Sequence, residues 1–141
     1  LHVSVVVNGR TVNFWTTHLP SGKSSSPRVN QSSDVLNCAR QFSQIRIIAG
    51  DWNSTQQRTE YTQMLENYED AWAVARKSGD AVDFPKNSRP GATHDWRIDY
   101  VFYSKSASRL RLQKAQVFDT RGANGARPSD HKPLLVTFIV D

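Results

Sequence analysis

The sequence predicts a mixed α/β (α+β) fold, and three observations carry that expectation. Two β-rich runs, His2 to Val7 and Arg10 to Thr17, flank Asn8-Gly9. Val35, Leu36, Ala39 and Phe42 recur at helical spacing within residues 29–43. A short apolar run from Ile45 to Ala49, interrupted only by Arg46, ends in Gly50. The first is a hairpin signal, because both central positions of a type I′ turn need positive φ, which Asn and Gly tolerate. The second places one buried stripe on a helix. The third reads as a buried strand ending at a functional rim, with Gly50 allowing a turn or a close backbone approach. The order is β–β–α–β.

The other elements follow from local signals. Pro20 stops the second strand after Thr17-His18-Leu19. Residues 21–28 read as a surface loop, and Gly22-Lys23-Ser24 lacks the earlier glycine of a phosphate-binding loop. Residues 56–66 read as a helix with Tyr61, Met64 and Leu65 inward, and 69–77 as another with Trp72, Val74 and Ala75 as core. Residues 78–95 form a long loop, the kind that carries function in a compact domain, and Lys86, Arg89, Thr93, His94 and Trp96 lie just before the next strand. That strand is Arg97 to Tyr103. Residues 109–118 alternate basic or polar with apolar side chains, as a half-buried strand with a positive outer face does. A Gly-rich stretch, 121–127, leads to Ser129-Asp130-His131-Lys132-Pro133, and Leu134 to Val140 is the last strand.

A chain of 141 residues, 38% hydrophobic and 22% charged, suits one folded domain over 1–141 rather than a disordered segment. No apolar run reaches the length of a membrane span. Eighteen Lys+Arg against 13 Asp+Glu leave a formal charge of +5, which favours an anionic partner. A single cysteine, Cys38, excludes an intrachain disulfide and a cysteine-rich zinc site, and it reads as a small buried hydrophobe. It suits a reducing or an oxidising compartment alike, and no compartment is assigned beyond a lean to secretion. No signal peptide is visible, and strand-like sequence follows residue 1 at once, so the chain reads as starting inside a fold.

The residues suited to chemistry stand beside strands: His18, Asp51 with Asn53, Asp99, and Asp130-His131. Two readings of Asp51 and Asn53 stand: an Asx turn after a strand, or a cation-holding carboxylate with an amide for a phosphate oxygen. Asp99 interrupts an otherwise apolar strand, and a buried carboxylate is costly unless paired. Its partner is His131, whose tautomer it would set, or a structural arginine, Arg97 or Arg127. His18 alone reads equally as a structural histidine.

Thr17-His18-Leu19, Gly50-Asp51-Trp52-Asn53, Arg97-Ile98-Asp99-Tyr100-Val101-Phe102 and Ser129-Asp130-His131-Lys132-Pro133-Leu134 resemble, in order, the motifs of the endonuclease/exonuclease/phosphatase superfamily. The resemblance runs from about His2 to Val140. It implies a four-layer αββα sandwich, of which this chain covers mainly the C-terminal half. It also implies a divalent-metal phosphoesterase using Mg²⁺ or Mn²⁺. By resemblance, Asp51 is an active-site carboxylate near the metal and Asp130 a metal ligand. Asn53 contacts the scissile phosphate. Asp99 orients His131, the general base or phosphate-stabilising imidazole, and His18 is a phosphate contact or general acid. Arg89, His94 and Arg97 are taken as further substrate contacts. Trp52 stands where many members have Phe.

The family's first half is not found here. That half supplies an early Asn and the Glu that is the principal metal ligand, and residues 1–17 contain neither Glu nor Asp. A complementing N-terminal half is therefore an expected partner, and a sheet face is expected to lie uncovered without it. The positive charge, the basic strand 109–118 and Lys86/Arg89 favour a nucleic acid as substrate, hence a nuclease. A sphingomyelin- or inositol-directed phosphoesterase has the same core residues, and a non-catalytic binding module is the third reading.

Overall fold

The computed structural model describes residues 1–87 and 89–141; the part of the expected 78–95 loop at position 88 lies outside the described residues. The elements in chain order are β1 (His2–Val7), β2 (Arg10–His18), α1 (Ser26–Ala39), β3 (Arg46–Asp51), α2 (Thr59–Thr62), a 3₁₀ turn (Met64–Glu66), β4 (Tyr68–Asp70), α3 (Ala71–Ser78), β5 (Ala81–Val82), β6 (Asp99–Ser104), β7 (Leu110–Val117) and β8 (Leu134–Val140). They build a five-stranded sheet, ordered β1-β2-β3-β6-β4, and a three-stranded sheet, β5-β7-β8.

Side-chain alternation along the strands divides the core into layers. Ile48, Tyr100 and Phe102 face α1 and α2, packing with Leu36, Ala39, Tyr61 and Met64. Their neighbours Ile47, Val101 and Tyr103 face the other way, towards Leu110, Phe138 and Val140 of the small sheet. Behind that sheet, Trp72 and Ala75 of α3 pack on Ala115 and Val117. Helices, sheet, sheet and helix therefore make the four layers expected. The free edge of β1 leaves Val3, Val5, Val6 and Val7 exposed, and Leu135 on β8 is exposed too.

The hairpin forms as expected, with φ of 49° at Asn8 and 73° at Gly9. Several boundaries differ. Helix α1 starts at Ser26 rather than 29, because Pro27 sits in its first turn, where its missing N–H costs nothing. It ends at Ala39, so Phe42 lies beyond the helix, half exposed against His2 and Trp15. Cys38 is exposed, not buried: it points away from the stripe of Ser32, Leu36 and Ala39. The helix expected over 56–66 is two short turns, because the chain must straighten for Tyr68 to pair with Ser104 of β6. Glu69 and Asp70 belong to β4, and the Asp70 carboxylate caps α3 by accepting from Ala73 N at 3.2 Å. Residues Ala81–Val82 of the expected loop are strand. Asp99 opens its strand rather than interrupting it. A bulge between Leu112 and Lys114 shifts the alternation of β7.

Two buried ion pairs brace the walls of the large sheet. Arg28 Nε lies 2.6 Å from Glu60 Oε1, and its Nη1 donates to Pro20 O (3.3 Å) and Gly22 O (2.8 Å), fixing the chain just after β2. Burial pushes the Glu60 carboxyl up, but hydrogen bonds led by that of Arg28 outweigh it and leave its pKa lowered. Arg97 Nη1 meets Asp70 Oδ2 at 2.6 Å, and Tyr61 Oη donates to the same oxygen at 2.8 Å.

Candidate active site

Sheet register alone assembles the first part of the site. His18 is the partner of Asp51 across the parallel β2–β3 ladder, and Asp51 is the partner of Asp99 across the antiparallel β3–β6 ladder. With neighbouring strands about 4.8 Å apart, three strands deliver an imidazole and two carboxylates in one row. Gly50 makes this possible. Its φ is +148°, and a Cβ there would collide with the carbonyl oxygen of Thr17.

Asp51 uses its two oxygens differently. Oδ1 accepts from Asn53 N at 2.7 Å, with Asn53 at φ 45°. The Asx turn therefore forms, and it also aims Oδ2 at His18 Nε2 (3.3 Å) and His131 Nε2 (3.9 Å). The two readings of this motif are one structure. Asn53 Nδ2 donates to Leu19 O at 2.8 Å and lies 3.1 Å from His18 Nε2.

Asp99 pairs with His131, not with Arg97 or Arg127. Its Oδ2 lies 2.7 Å from His131 Nδ1 and accepts from Thr93 Oγ1 at 2.5 Å. Nδ1 therefore carries the proton, and Nε2 is turned towards Asp51. Thr93 is held in turn, since Lys132 N donates to Thr93 O at 2.6 Å. Nothing in the sequence marks Thr93 for this role, because a threonine in a loop has no characteristic spacing.

The remaining candidates divide. Asp130 is largely exposed and lies 3.8 Å from His94 Nε2, whose ring centre is 5.1 Å from that of His131. Arg89 stacks on Trp96 with Cζ 3.9 Å from the ring centre. Arg97 is set apart: it is only 7% exposed, paired with Asp70 and stacked on Tyr100. The arginines that open the basic strand also lie apart. Arg111 is opposite Ile139, while Val117 is opposite Leu134 next to the site, about 20 Å along the ladder.

Among the described residues, two groups place donor atoms within 4.8 Å of one another: Asp51 with Asp99 and His131, and His94 with Asp130 and His131. Asp51 and Asp130 do not share a group. In the first, Asp99 Oδ2 is engaged by His131 and Thr93, while Asp51 Oδ2 is a hard donor facing the two histidines. One carboxylate completed by water and a phosphate oxygen suits Mg²⁺ or Mn²⁺.

A carboxylate–imidazole relay thus stands at one end of the central strands of a four-layer sandwich. The Endonuclease/Exonuclease/phosphatase family matches residues 3–131, and the chain belongs to it. No curated protein sequence matches the chain. Solved structures share the fold. The human Nocturnin catalytic domain with bound sulfate is 24% identical with a TM-score of 0.71, covering 95% of this chain and 49% of its own. A mannosyl-6-phosphatase from Bacteroides thetaiotaomicron is 20% identical with a TM-score of 0.70, covering 94% of this chain and 52% of its own. D. rerio TDP2 complexed with single-strand DNA product is 22% identical with a TM-score of 0.70, covering 96% and 59%. The chain thus spans about half the length of these structures. Among the described residues, no helix is long and apolar enough to cross a membrane.

Proposed function

We propose that this chain carries the water-activating half of a divalent-metal-dependent phosphodiesterase, most simply a nuclease. The observation behind the reading is the relay from Asp99 Oδ2 through His131 to Asp51 Oδ2, with gaps of 2.7 and 3.9 Å. Asp99 fixes the His131 tautomer, so that Nε2 takes a proton from a water or donates to a phosphate oxygen. Asp51 holds that water from the other side. Asn53 and His18 stand where they can stabilise charge developing on the remaining phosphate oxygens. Asp51 would hold Mg²⁺ or Mn²⁺, with Asp130 as a second candidate ligand, and the ion would neutralise phosphate and leaving-group charge.

A complementing N-terminal half, with the additional carboxylate that the family resemblance implies, is part of the proposal, since the chain spans about half of its structural relatives. A nucleic-acid substrate is supported by the formal charge of +5 and by the single-strand DNA product in the TDP2 relative. The test is phosphodiester hydrolysis with and without EDTA, by this chain and by the same chain joined to an upstream half. EDTA-sensitive cleavage by either form supports the reading. Salt-sensitive nucleic-acid binding with no cleavage by either form would make it a binding module instead.

A further inference from the structure

The long loop before β6 presents one feature that the relay does not use. Of the four tryptophans, Trp15, Trp52 and Trp72 are buried, whereas Trp96 is 53% exposed. The exposure is not slack in the loop. Asp83 accepts from Asn87 Nδ2 and from Gly91 N, each at 2.7 Å, and Asn87 Nδ2 also donates to Ala92 O at 3.0 Å. Gly91, at φ +71°, lies so close to the Trp72 indole that a Cβ would collide with it. The far end is tied by His94 N donating to Trp96 O at 3.1 Å. A braced loop therefore holds a large indole in solvent, two residues from His94, whose ring adjoins His131.

One neighbour prepares that indole for a particular ligand. The Arg89 guanidinium stacks on it, Cζ 3.9 Å from the ring centre, and is steadied by Nη1 donating to Asp95 O at 2.7 Å. Arg89 adds positive charge to an aromatic surface, the pairing that single-strand nucleic-acid sites use. A cavity of about 180 Å³ beside His94 is lined by Lys86, Arg127 and Lys132, which suit a phosphate backbone, and by the exposed Asp95, Asp119 and Asp130, which oppose it. A phosphate or lipid headgroup would use the cations and leave the indole wet. A heteroaromatic base uses both, and only an unpaired base offers its face.

We propose that Trp96, with Arg89 stacked on it, is a stacking platform for an unpaired base of a single-stranded nucleic acid whose backbone passes His131. This rests on the phosphodiesterase reading and narrows its substrate.

Because the other three indoles are buried, iodide-accessible tryptophan fluorescence reports on Trp96. The probe is a short single-stranded oligo-deoxyadenylate, added in EDTA to prevent turnover. It should quench that fraction, and an abasic strand of equal length should not. Trp96→Ala should weaken binding about tenfold, within the range for one base–aromatic stack, and Trp96→Phe should retain most of it. Unchanged thermal midpoints would confirm that both variants are folded. Equal binding of the abasic strand, or wild-type affinity in Trp96→Ala, overturns the platform. So does a fluorescence blue shift with phosphatidylcholine–sphingomyelin vesicles but no response to the oligonucleotide. Turnover without stacking sinks the platform alone, whereas stacking without turnover in the metal-containing assay sinks the catalytic reading alone.

Discussion

Asp51 and Asp99 face each other across the β3–β6 ladder, yet their carboxylates are committed differently. Asp99 Oδ2 is held by His131 Nδ1 and Thr93 Oγ1, while Asp51 Oδ2 points between the rings of His18 and His131. One carboxylate is an anchor and the other faces two imidazoles. The division is set by a loop threonine rather than by the strands themselves.

Asp99→Asn should therefore damage the relay without damaging the fold. In the active form, we expect turnover to fall by about 10²–10⁴, the range for losing general acid–base assistance, with substrate affinity little changed. Steady-state kinetics beside a thermal melt would show it. His131→Ala should match it, and normal turnover in either variant removes the role assigned here.

Gly50→Ala should break the row of His18, Asp51 and Asp99. Its φ of +148° and the Thr17 carbonyl leave no room for a Cβ. The strain alone is worth about 1–3 kcal/mol, read as a lower urea midpoint. A fully stable Gly50→Ala protein would mean that β2 and β3 do not approach as described.

Arg97→Ala tests a different point. A substrate contact would weaken affinity and leave stability alone. The buried pair with Asp70 predicts the opposite: a loss of about 3–5 kcal/mol, because the Asp70 charge would be left buried without its cation. Urea unfolding distinguishes the two.

All four tyrosines have phenols pushed above their ordinary value, in each case first by burial. For Tyr61 the Asp70 carboxylate adds to burial and carries it to about 12. A folded pKa above the unfolded one means that the folded state holds the proton more tightly. The stabilisation is complete below the unfolded value of about 10 and is lost as pH rises from there towards 12. We expect tyrosinate absorbance to appear together with unfolding. A smooth tyrosine titration near pH 10 in folded protein would contradict this packing.

The strands were legible because their signals are local. Asn8-Gly9 carries its turn type in its own backbone preferences, and the apolar run from Leu134 to Val140 needs no partner to be seen. His18, Asp51, Asn53, Asp99 and His131 were legible as a set because motifs mark them, and the folded chain gathers all five. What the sequence did not reveal depends on distant partners. Arg97 reads from the sequence as a substrate contact or as a structural partner of Asp99, whereas its partner in the fold is Asp70, 27 positions away. The helix expected over 56–66 carried a correct apolar pattern, but the pairing of β4 with β6 overrode it. Cys38 was misplaced because a helix with a narrow apolar stripe leaves a residue two steps from Leu36 on its far side.

The contact between Asn8 Nδ2 and Val140 O, at 2.9 Å, has a consequence for how the molecule is made. The first hairpin and the last strand are 132 positions apart, and they meet. His131 follows His18, Asp51 and Asp99 in the chain and leaves the ribosome after them. A nascent chain can thus fold its large sheet and display His18, Asp51 and Asp99 while the imidazole that completes the relay is still being synthesised. Any hydrolytic power that depends on this relay would switch on only after His131 had been translated.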